Sequence, residues 1–296
     1  MRIWTLVRNA GVGAADNPRV YGGGERAGAG YYGDAGSMLS WARPLLLAAM
    51  RDQAATAAGD GGGVRRLRLL RQSAGAGPGL RPRPGVGDWN EVLRETVNVL
   101  QSGCVVAVPT DTIYGIACLA QNSEAIQRIY EIKGRNTDKP LAISVGNVED
   151  IYKYCKVTVP DQVLSDLLPG PVTLVFKQSD GLNRDLNPFT DLVGVRIPEH
   201  AFMQKLAQLC GEPLALTSAN VSSRTSTLTP EEFKDIWPSL GLVVDGGPVG
   251  DMMSPECRLG STVVNLATPG KYSIIRPGCA FTATVDILQK KHGLSL

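Results

Sequence analysis

Apolar residues recur at helical spacing in several stretches of the chain. The clearest stretch follows Asp88, and the predicted helix ends at Gly103; its apolar residues, which recur at helical spacing, are Trp89, Val92, Leu93, Val97 and Leu100. Asp88 and Glu91 have the spacing of a capping box, which marks the start of this helix. The same spacing predicts further helices at 123–133, around 151, at 164–168, at 201–210, at 229–237, which opens with a second capping box, and at 285–291.

Short continuous apolar runs lie between these helical stretches and predict buried strands. The first run, 104–109, ends in the polar residues Thr110, Asp111 and Thr112. Further runs of this kind lie at 141–145, 172–176, 194–198, 213–217, 242–244, 262–266 and 272–275. Helices and strands alternate too irregularly for a doubly wound sheet. We therefore expect a mixed α/β domain with one large twisted sheet and flanking helices.

Residues 1–86 differ in composition from the rest of the 296-residue chain. They contain 12 Arg, no Lys, five acidic residues and 17 of the 34 glycines, whereas residues 87–296 carry a net charge of −5. A segment so rich in glycine buries too little apolar surface to offset the entropy of ordering it. We therefore predict a disordered Arg/Gly/Ala-rich leader over 1–86 and a single folded domain over 87–296.

Part of the leader has the composition of a targeting signal. Arg65, Arg66, Arg68 and Arg71 are interleaved with leucines after an acid-poor amphipathic stretch, and such segments resemble mitochondrial presequences. An unstructured basic tail without a targeting function fits the same residues equally well. The residues before Met38 also fit an extension upstream of the true start of the protein. We expect the protein in the cytoplasm and the mitochondrion.

The residue inventory argues against several classes of site. The chain has only two histidines, His200 and His292, which disfavours a histidine-based zinc site, a Ser-His-Asp triad and a Cys-His pair. Its six cysteines are scattered without a C-x-x-C motif, so reduced thiols are expected. Neither glycine triplet, at residues 22–24 or 61–63, is part of a phosphate-binding loop motif. No apolar run approaches the roughly 18 residues that a membrane span requires.

Polar and basic side chains gather at the ends of the predicted elements. They are Thr110, Lys133, Arg135, Arg196, Ser218, Asn220, Ser261 and Arg276. Cations that follow buried strands or end a helix in a net-acidic domain are candidates for holding an anion, because unpaired Lys and Arg are seldom placed there.

Each of these groups also has an ordinary structural interpretation. Lys133 and Arg135 fit solvated charges near a helix C-terminus, where the helix dipole favours them. Arg196 fits a surface ion pair with Glu199. Ser218 and Asn220 fit a helix cap or an Asx turn. The set as a whole is more informative than any one member.

Seven short motifs contain most of these residues. They are Pro109-Thr-Asp-Thr-Ile-Tyr-Gly115, Lys133-Gly-Arg135 followed by Lys139-Pro-Leu141, Leu168-Pro-Gly-Pro-Val-Thr173, Val195-Arg-Ile-Pro198, Thr217-Ser-Ala-Asn220, Gly260-Ser-Thr-Val263 and Ile275-Arg-Pro-Gly278. In this order they resemble the motif series of the YrdC-domain family, the threonylcarbamoyl-AMP synthases, over about residues 87–292. The leader and the single-domain ending resemble the animal members of the family most.

The resemblance implies a twisted α/β sheet with a deep, positively charged cavity. It also implies an enzyme that condenses L-threonine, bicarbonate and ATP, which carries Mg²⁺, to threonylcarbamoyl-AMP and pyrophosphate. The product would supply the t6A modification of tRNA through a separate threonylcarbamoyl transferase complex. Tight binding of tRNA by this chain is therefore not required, and no metal bound by the protein itself is implied.

The resemblance further implies a role for each site residue. The residues implied to bind ATP are Lys133, Arg135, Ser218, Asn220 and Arg276. Those implied to bind L-threonine are Thr110, Arg196 and Ser261. Lys133 and Arg135 would also act in catalysis, by stabilising the departing pyrophosphate. No side chain is an obvious general base; Asp111 is a candidate, with a metal-facing or N-capping role as the alternative.

Two other interpretations of the sequence stay open. A concave cationic surface also suits an RNA backbone, so the chain fits a non-catalytic RNA-binding module, although the folded part is net acidic and lacks interleaved aromatic residues at its strand ends. A YrdC-like domain also occurs in carbamoyl transferases of the hydrogenase-maturation kind. Those proteins are multidomain and contain zinc, and nothing in this sequence supplies the extra domains or the zinc ligands.

Overall fold

The strands form one mixed sheet in the computed structural model, which describes residues 64–69, 86–134, 139–250 and 252–296. The strands are β1 (Arg66–Leu69), β2 (Val86–Gly87), β3 (Val106–Val108), β4 (Gly115–Leu119), β5 (Ala142–Ser144), β6 (Cys155–Lys156), β7 (Val172–Gln178), β8 (Leu192–Arg196), β9 (Leu214–Ser218), β10 (Leu242–Asp245), β11 (Thr262–Asn265) and β12 (Ser273–Arg276). Their order across the sheet is β12-β11-β7-β8-β5-β9-β4-β3-β10-β1-β2, and β6 pairs with β7. Parallel and antiparallel neighbours both occur, which confirms the predicted mixed α/β sheet.

Helices cover the faces of this sheet. The α-helices in the described residues are α1 (Trp89–Gln101), α2 (Ser123–Lys133), α3 (Ile151–Tyr154), α4 (Asp161–Leu167), α5 (Ala201–Cys210) and α6 (Phe281–Asp286). Short 3₁₀ helices lie at Val148–Asp150, Arg184–Leu186 and Pro230–Ser239, and a π-helix at Ile287–Lys291 follows α6. Within the part of the chain that the structure describes, no helix has both the length and the apolarity to cross a membrane.

Each face of the sheet has its own buried layer. Val106 and Val108 of β3 belong to one layer, with residues from α1 and α5, whereas Ala107 between them belongs to the other, with residues from α2. Successive side chains of a strand point to opposite faces. This alternation explains why the strand reads as a continuous apolar run, because both of its faces are buried.

The first strand corrects the predicted leader. Arg66–Leu69 pairs in parallel with β10 and with β2, so residues 66–69 belong to the folded sheet. The arginines and leucines of this strand alternate with a period of two, and its arginines are exposed while its leucines are half-buried. The prediction of a disordered leader is therefore wrong for this segment. The rest of the predicted leader, residues 1–63 and 70–85, lies outside the described residues.

Three other local predictions also need correction. The strand Gly115–Leu119 was not predicted, although all five of its residues are buried. Neither predicted capping box forms its side-chain cap, because Asp88 and Thr229 make no such hydrogen bond. The terminal helix begins at Phe281, before the predicted start at residue 285, and it continues as the π-helix. The predicted helices at 123–133 and 201–210 are confirmed with their bounds.

Candidate active site

The described site residues form two groups, joined by the loop between β3 and β4. The lysine cluster consists of Lys133, Ser218 and Asn220. The arginine cluster consists of Asp111, Thr112, Thr173, Arg196, Ser261 and Arg276. Ser218 lies opposite Gly115 at one end of β9. Arg196 lies opposite Ser144, which faces Leu214 at the other end of β9. The loop 109–114 therefore has to reach along the sheet to connect the two groups.

The lysine cluster is built around a buried ammonium group. Lys133 is the last residue of α2, which Gly134 ends in the left-handed conformation. Its Nζ donates to the carbonyl oxygen of Ser218 at 2.6 Å, to Ser218 Oγ at 3.2 Å, to Asn220 Oδ1 at 2.8 Å and to the carbonyl oxygen of Asn220. All four of these oxygens are neutral, and they hold the ammonium group in place. The interpretation of Lys133 as a solvated surface charge is wrong, since the residue is 1% exposed.

Asn220 is itself fixed by the segment that follows it. Its Nδ2 donates to the carbonyl oxygen of Arg224 at 2.5 Å and to that of Thr225 at 3.3 Å, while its Oδ1 accepts from Ser218 Oγ at 2.5 Å. The predicted helix cap or Asx turn is not formed, because the N–H of Ser222 donates to the Lys133 carbonyl at 3.1 Å; instead, the backbone N–H of Asn220 donates to the Ser218 carbonyl at 2.9 Å in a tight backbone turn. This turn presents its oxygens to Lys133, so a structural and a functional role are compatible.

The arginine cluster contains a buried ion pair. Arg196 ends β8 and donates from Nη2 to Asp111 Oδ1 and, at 3.4 Å, to Thr112 Oγ1. The other carboxylate oxygen of Asp111 accepts the backbone N–H of Glu199 at 2.9 Å. Burial lowers the pKa of Arg196, and the charge of Asp111 opposes that shift. The predicted surface pairing of Arg196 with Glu199 is therefore wrong, and Asp111 is held as the partner of Arg196.

A second guanidinium lies near this ion pair. Arg276 ends β12, and its Nη2 donates to the Ser261 carbonyl at 2.7 Å. Partial burial and the positive charge of Arg196 both lower the pKa of Arg276. Ser261 Oγ shares a hydrogen bond of 2.8 Å with Thr173 Oγ1, which connects the start of β11 to β7. The two arginines repel one another, and among the ion pairs of the described residues only Arg196 has Asp111 as its partner.

Gly278 allows the two ends of this cluster to approach. A Cβ at this position would lie 2.3 Å from the carbonyl carbon of Ser261 and 2.4 Å from the amide nitrogen of Thr262. Only a glycine permits this contact between backbones. The next residue, Cys279, donates its N–H to the Gly260 carbonyl at 3.0 Å. The Arg276 segment is therefore tied to the Ser261 segment at two successive residues.

The hydroxyl of Thr110 organises the connecting loop. Its Oγ1 donates to the Ile113 carbonyl at 2.7 Å and lies within reach of the amides of Thr112 and Ile113, at 3.2 and 3.3 Å. The loop then brings Asp111 and Thr112 to Arg196. At the other end of the loop, the Tyr114 carbonyl accepts the N–H of Ala219, which lies between Ser218 and Asn220.

The structure leaves one predicted site residue untested and adds others. Arg135 lies outside the described residues. Thr173 and Tyr114 lie within two of the seven motifs, but their side-chain contacts were not predicted from the sequence. The partnership of Asp111 with Arg196 had no sequence signal, since the two residues are 85 positions apart. Among the described residues, no group of three His, Cys, Asp or Glu side chains is arranged to hold a metal ion.

A comparison with protein families gives one match over most of the folded part. The Sua5/YciO/YrdC family model, described by the words "Telomere recombination", matches residues 98–278. This span contains every predicted site residue. It begins after β1 and β2, and it ends directly after the glycine that packs against Ser261.

Similar proteins are found among curated sequences and solved structures. The threonylcarbamoyl-AMP synthase of Bos taurus is 55% identical over 269 residues, covering 86% of this chain and 97% of that relative. The Homo sapiens protein of the same name is 59% identical over 232 residues, covering 78% of this chain and 82% of that relative. The structure of P. abyssi Sua5 in complex with L-threonine superposes with a TM-score of 0.61 at 27% identity, covering 76% of this chain and 60% of that one.

Proposed function

Because the chain belongs to the Sua5/YciO/YrdC family, we propose that it is a threonylcarbamoyl-AMP synthase. The reaction joins L-threonine, bicarbonate and ATP and yields threonylcarbamoyl-AMP, pyrophosphate and water. Two relatives with that name are 55% and 59% identical to this chain over 97% and 82% of their own length. The product would pass to a separate threonylcarbamoyl transferase complex for t6A modification of tRNA, in the cytoplasm and the mitochondrion.

The observation that carries this function is the charge of the two clusters. Lys133 Nζ donates to oxygens of Ser218 and Asn220, and Arg276 lies near Arg196, which is paired with Asp111. Both clusters therefore place cationic groups at buried or half-buried positions, where an anion interacts strongly. A reaction between a triphosphate and an amino acid with a free carboxylate supplies anions for both.

We assign ATP to the lysine cluster and to Arg276. Lys133 would act as a point charge on the phosphates, while Ser218 and Asn220 contribute neutral polar groups. Mg²⁺ would arrive with ATP as part of the substrate, since this ion keeps several of its waters and is usually held by phosphates and one or two carboxylates. Arg135 would add a bidentate contact to the same triphosphate.

L-Threonine is assigned to the arginine cluster. Arg196 would bind the amino acid's carboxylate, and Ser261 with Thr110 would contact its polar groups. One nitrogen of Arg196, Nη2, is already used by Asp111 and Thr112. The ion pair therefore fixes the plane of the guanidinium, and a planar fork held in place suits a planar carboxylate.

The chemical step requires positioning more than proton transfer. The amino group of threonine and bicarbonate form a carbamate with loss of water, and a carbamate oxygen then attacks the α-phosphorus of ATP in line. The bond from this phosphorus to the bridging oxygen breaks, and pyrophosphate leaves. Holding both reactants in line lowers the barrier by reducing the entropy cost, and Lys133 stabilises the charge that develops on the phosphates. We assign Asp111 to hold Arg196 rather than to act as the base, because its carboxylate is buried and is bound to Arg196 and to the Glu199 N–H.

An omission experiment tests this function. The purified full-length protein is incubated with ATP, Mg²⁺, bicarbonate and L-threonine, and pyrophosphate is measured. We expect release that stops when ATP, bicarbonate or threonine is left out. Pyrophosphate release that persists without threonine and bicarbonate would contradict the proposal. Tight, strongly salt-dependent RNA binding without any turnover would favour the RNA-binding module instead.

A further inference from the structure

The strand β1 is connected to the candidate active site by a continuous series of polar contacts. It begins at Arg66, whose Nε and Nη2 donate to Asp245 Oδ2 at 3.1 and 2.8 Å. Asp245 ends β10, the strand next to β1, and its side chain is 8% exposed. Arg66 also donates to Glu231 at 2.6 Å, and its guanidinium carbon lies 5.5 Å from the centre of the Trp237 ring. Four contacts thus hold the arginine in one position.

Asp245 also contacts the turn that follows β10. Its second oxygen, Oδ1, accepts the N–H of Gly247 at 2.8 Å. Gly247 has a φ of +74°, a left-handed conformation that glycine adopts without strain. Because one oxygen of Asp245 binds Arg66 and the other binds the turn, the arginine fixes the orientation of the carboxylate that holds the turn.

Tyr114 joins this turn to both clusters. Its buried hydroxyl donates to the Gly247 carbonyl at 2.7 Å and accepts the Gly246 N–H at 2.9 Å. Its backbone carbonyl accepts the N–H of Ala219, which lies between Ser218 and Asn220. Tyr114 therefore holds the turn through its hydroxyl and the loop 109–114 against β9 through its backbone carbonyl.

The same turn packs directly on the loop of the arginine cluster. A Cβ on Gly246 would lie 2.9 Å from Pro109 Cγ, and a Cβ on Gly250 would lie 3.1 Å from the Thr112 carbonyl oxygen. The segment 246–250 therefore supports the loop 109–114 from outside. This loop carries Asp111, which orients Arg196.

We propose that Arg66 is a positioning residue for the threonine site, acting through Asp245 and the Gly246–Gly247 turn on the loop 109–114. This inference rests on the proposed function for its kinetic readout. It adds β1 to the catalytic unit, although β1 precedes the family match over residues 98–278. Residues joined in one hydrogen-bond network are coupled energetically, which is the physical basis for action at this distance.

Kinetics of Arg66→Gln in the full-length chain test the proposal. We expect the KM for L-threonine to rise by about three- to ten-fold, with kcat changed less than about two-fold, because the loop is displaced rather than the reacting groups. Arg68→Gln is the matched control, since this arginine is exposed on the same strand, and it should leave the KM unchanged. An unchanged threonine KM in Arg66→Gln, with or without a lower melting temperature, would overturn the proposal.

Hydrogen exchange gives a second readout that does not depend on activity. Arg66→Gln should speed amide exchange in the segment 246–250, while helix 123–133 exchanges as in the wild type. Asp245→Asn should give the same pattern, and the double variant should add little to either single change. Unaltered exchange in 246–250 would refute the connection. If the wild type itself releases no pyrophosphate, the proposed function fails. The exchange experiment still tests whether Arg66 acts through Asp245 on the segment 246–250.

Discussion

The lysine and arginine clusters hold their buried cations in different ways. Lys133 donates to four neutral oxygens of one turn, which hold its ammonium group at a buried position. Arg196 is held by the carboxylate of Asp111, so part of its charge is balanced while its orientation is fixed. The comparison teaches that a site can use one cation mainly for charge and another mainly for geometry. Removing each should therefore harm a different property of the enzyme.

Lys133→Ala should cause the largest loss of activity. Each lost charge-assisted contact to phosphate costs about 1.5–3 kcal/mol, which slows adenylate formation by about 10- to 100-fold. The measurement is pyrophosphate release at saturating threonine and bicarbonate. Lys205→Ala is a suitable control, because this lysine is exposed on helix Ala201–Cys210. An unchanged rate in Lys133→Ala would remove the lysine from the chemistry.

Asp111→Asn should instead affect stability most. The substitution leaves Arg196 buried without its counter-charge, and breaking a buried pair in this way costs about 3–5 kcal/mol. Urea denaturation of the variant and the wild type measures the difference in the free energy of unfolding. A cost below about 1 kcal/mol, as is usual for exposed pairs, would show that this ion pair does not hold the loop.

Arg196→Ala should raise the KM for L-threonine with a smaller effect on kcat. A hydrogen bond to a charged group contributes about 1.5–3 kcal/mol, which corresponds to a KM about 10- to 100-fold higher. Steady-state kinetics with threonine as the varied substrate give this value. Equal KM values in the variant and the wild type would make Arg196 a purely structural residue, and the contrast between the clusters would fail.

The contact of Asp166 with Lys291 and His292 near the surface should have the smallest effect on stability. It serves as a reference for the buried pair of Arg196 and Asp111. Hydrogen bonds from Lys291 and His292 lower the pKa of Asp166 to about 2, below the value of about 3.9 for an unfolded chain. A carboxyl group with a lowered folded-state pKa stabilises the protein above its unfolded value, and this contribution is lost as the pH falls from about 4 to about 2. The wild type should therefore be more stable than Asp166→Asn near neutral pH, and the difference should shrink over that range. A difference that is the same at pH 2 and pH 6 would contradict this assignment.

Much of the fold follows from local patterns in the sequence. Helix 123–133 could be predicted because its apolar residues repeat at helical spacing and a glycine follows it. The strand Arg66–Leu69 was missed because four alternating residues in an arginine-rich segment also fit a presequence. What makes them a strand is their pairing with β10, whose residues lie about 180 positions away. Spacing along the chain carries no information about such a partner.

The site was predictable as a set of residues but not as an arrangement. The motif series named Lys133, Ser218 and Asn220, and the structure brings these three together. The same series gave no sign that Asp111 would be the partner of Arg196, or that Thr110 would use its hydroxyl within its own loop. Those contacts depend on the path of the loop 109–114 along the sheet. That path is set by the register of the strands, which the sequence does not show.

Direct detection of the product tests the central claim. The protein is incubated with ATP, Mg²⁺, L-threonine and ¹³C-bicarbonate, and the nucleotides are analysed at once by mass spectrometry. We predict threonylcarbamoyl-AMP that carries the bicarbonate carbon and is absent when threonine is omitted. Formation of threonyl-AMP without that carbon, or of AMP alone, would contradict the account.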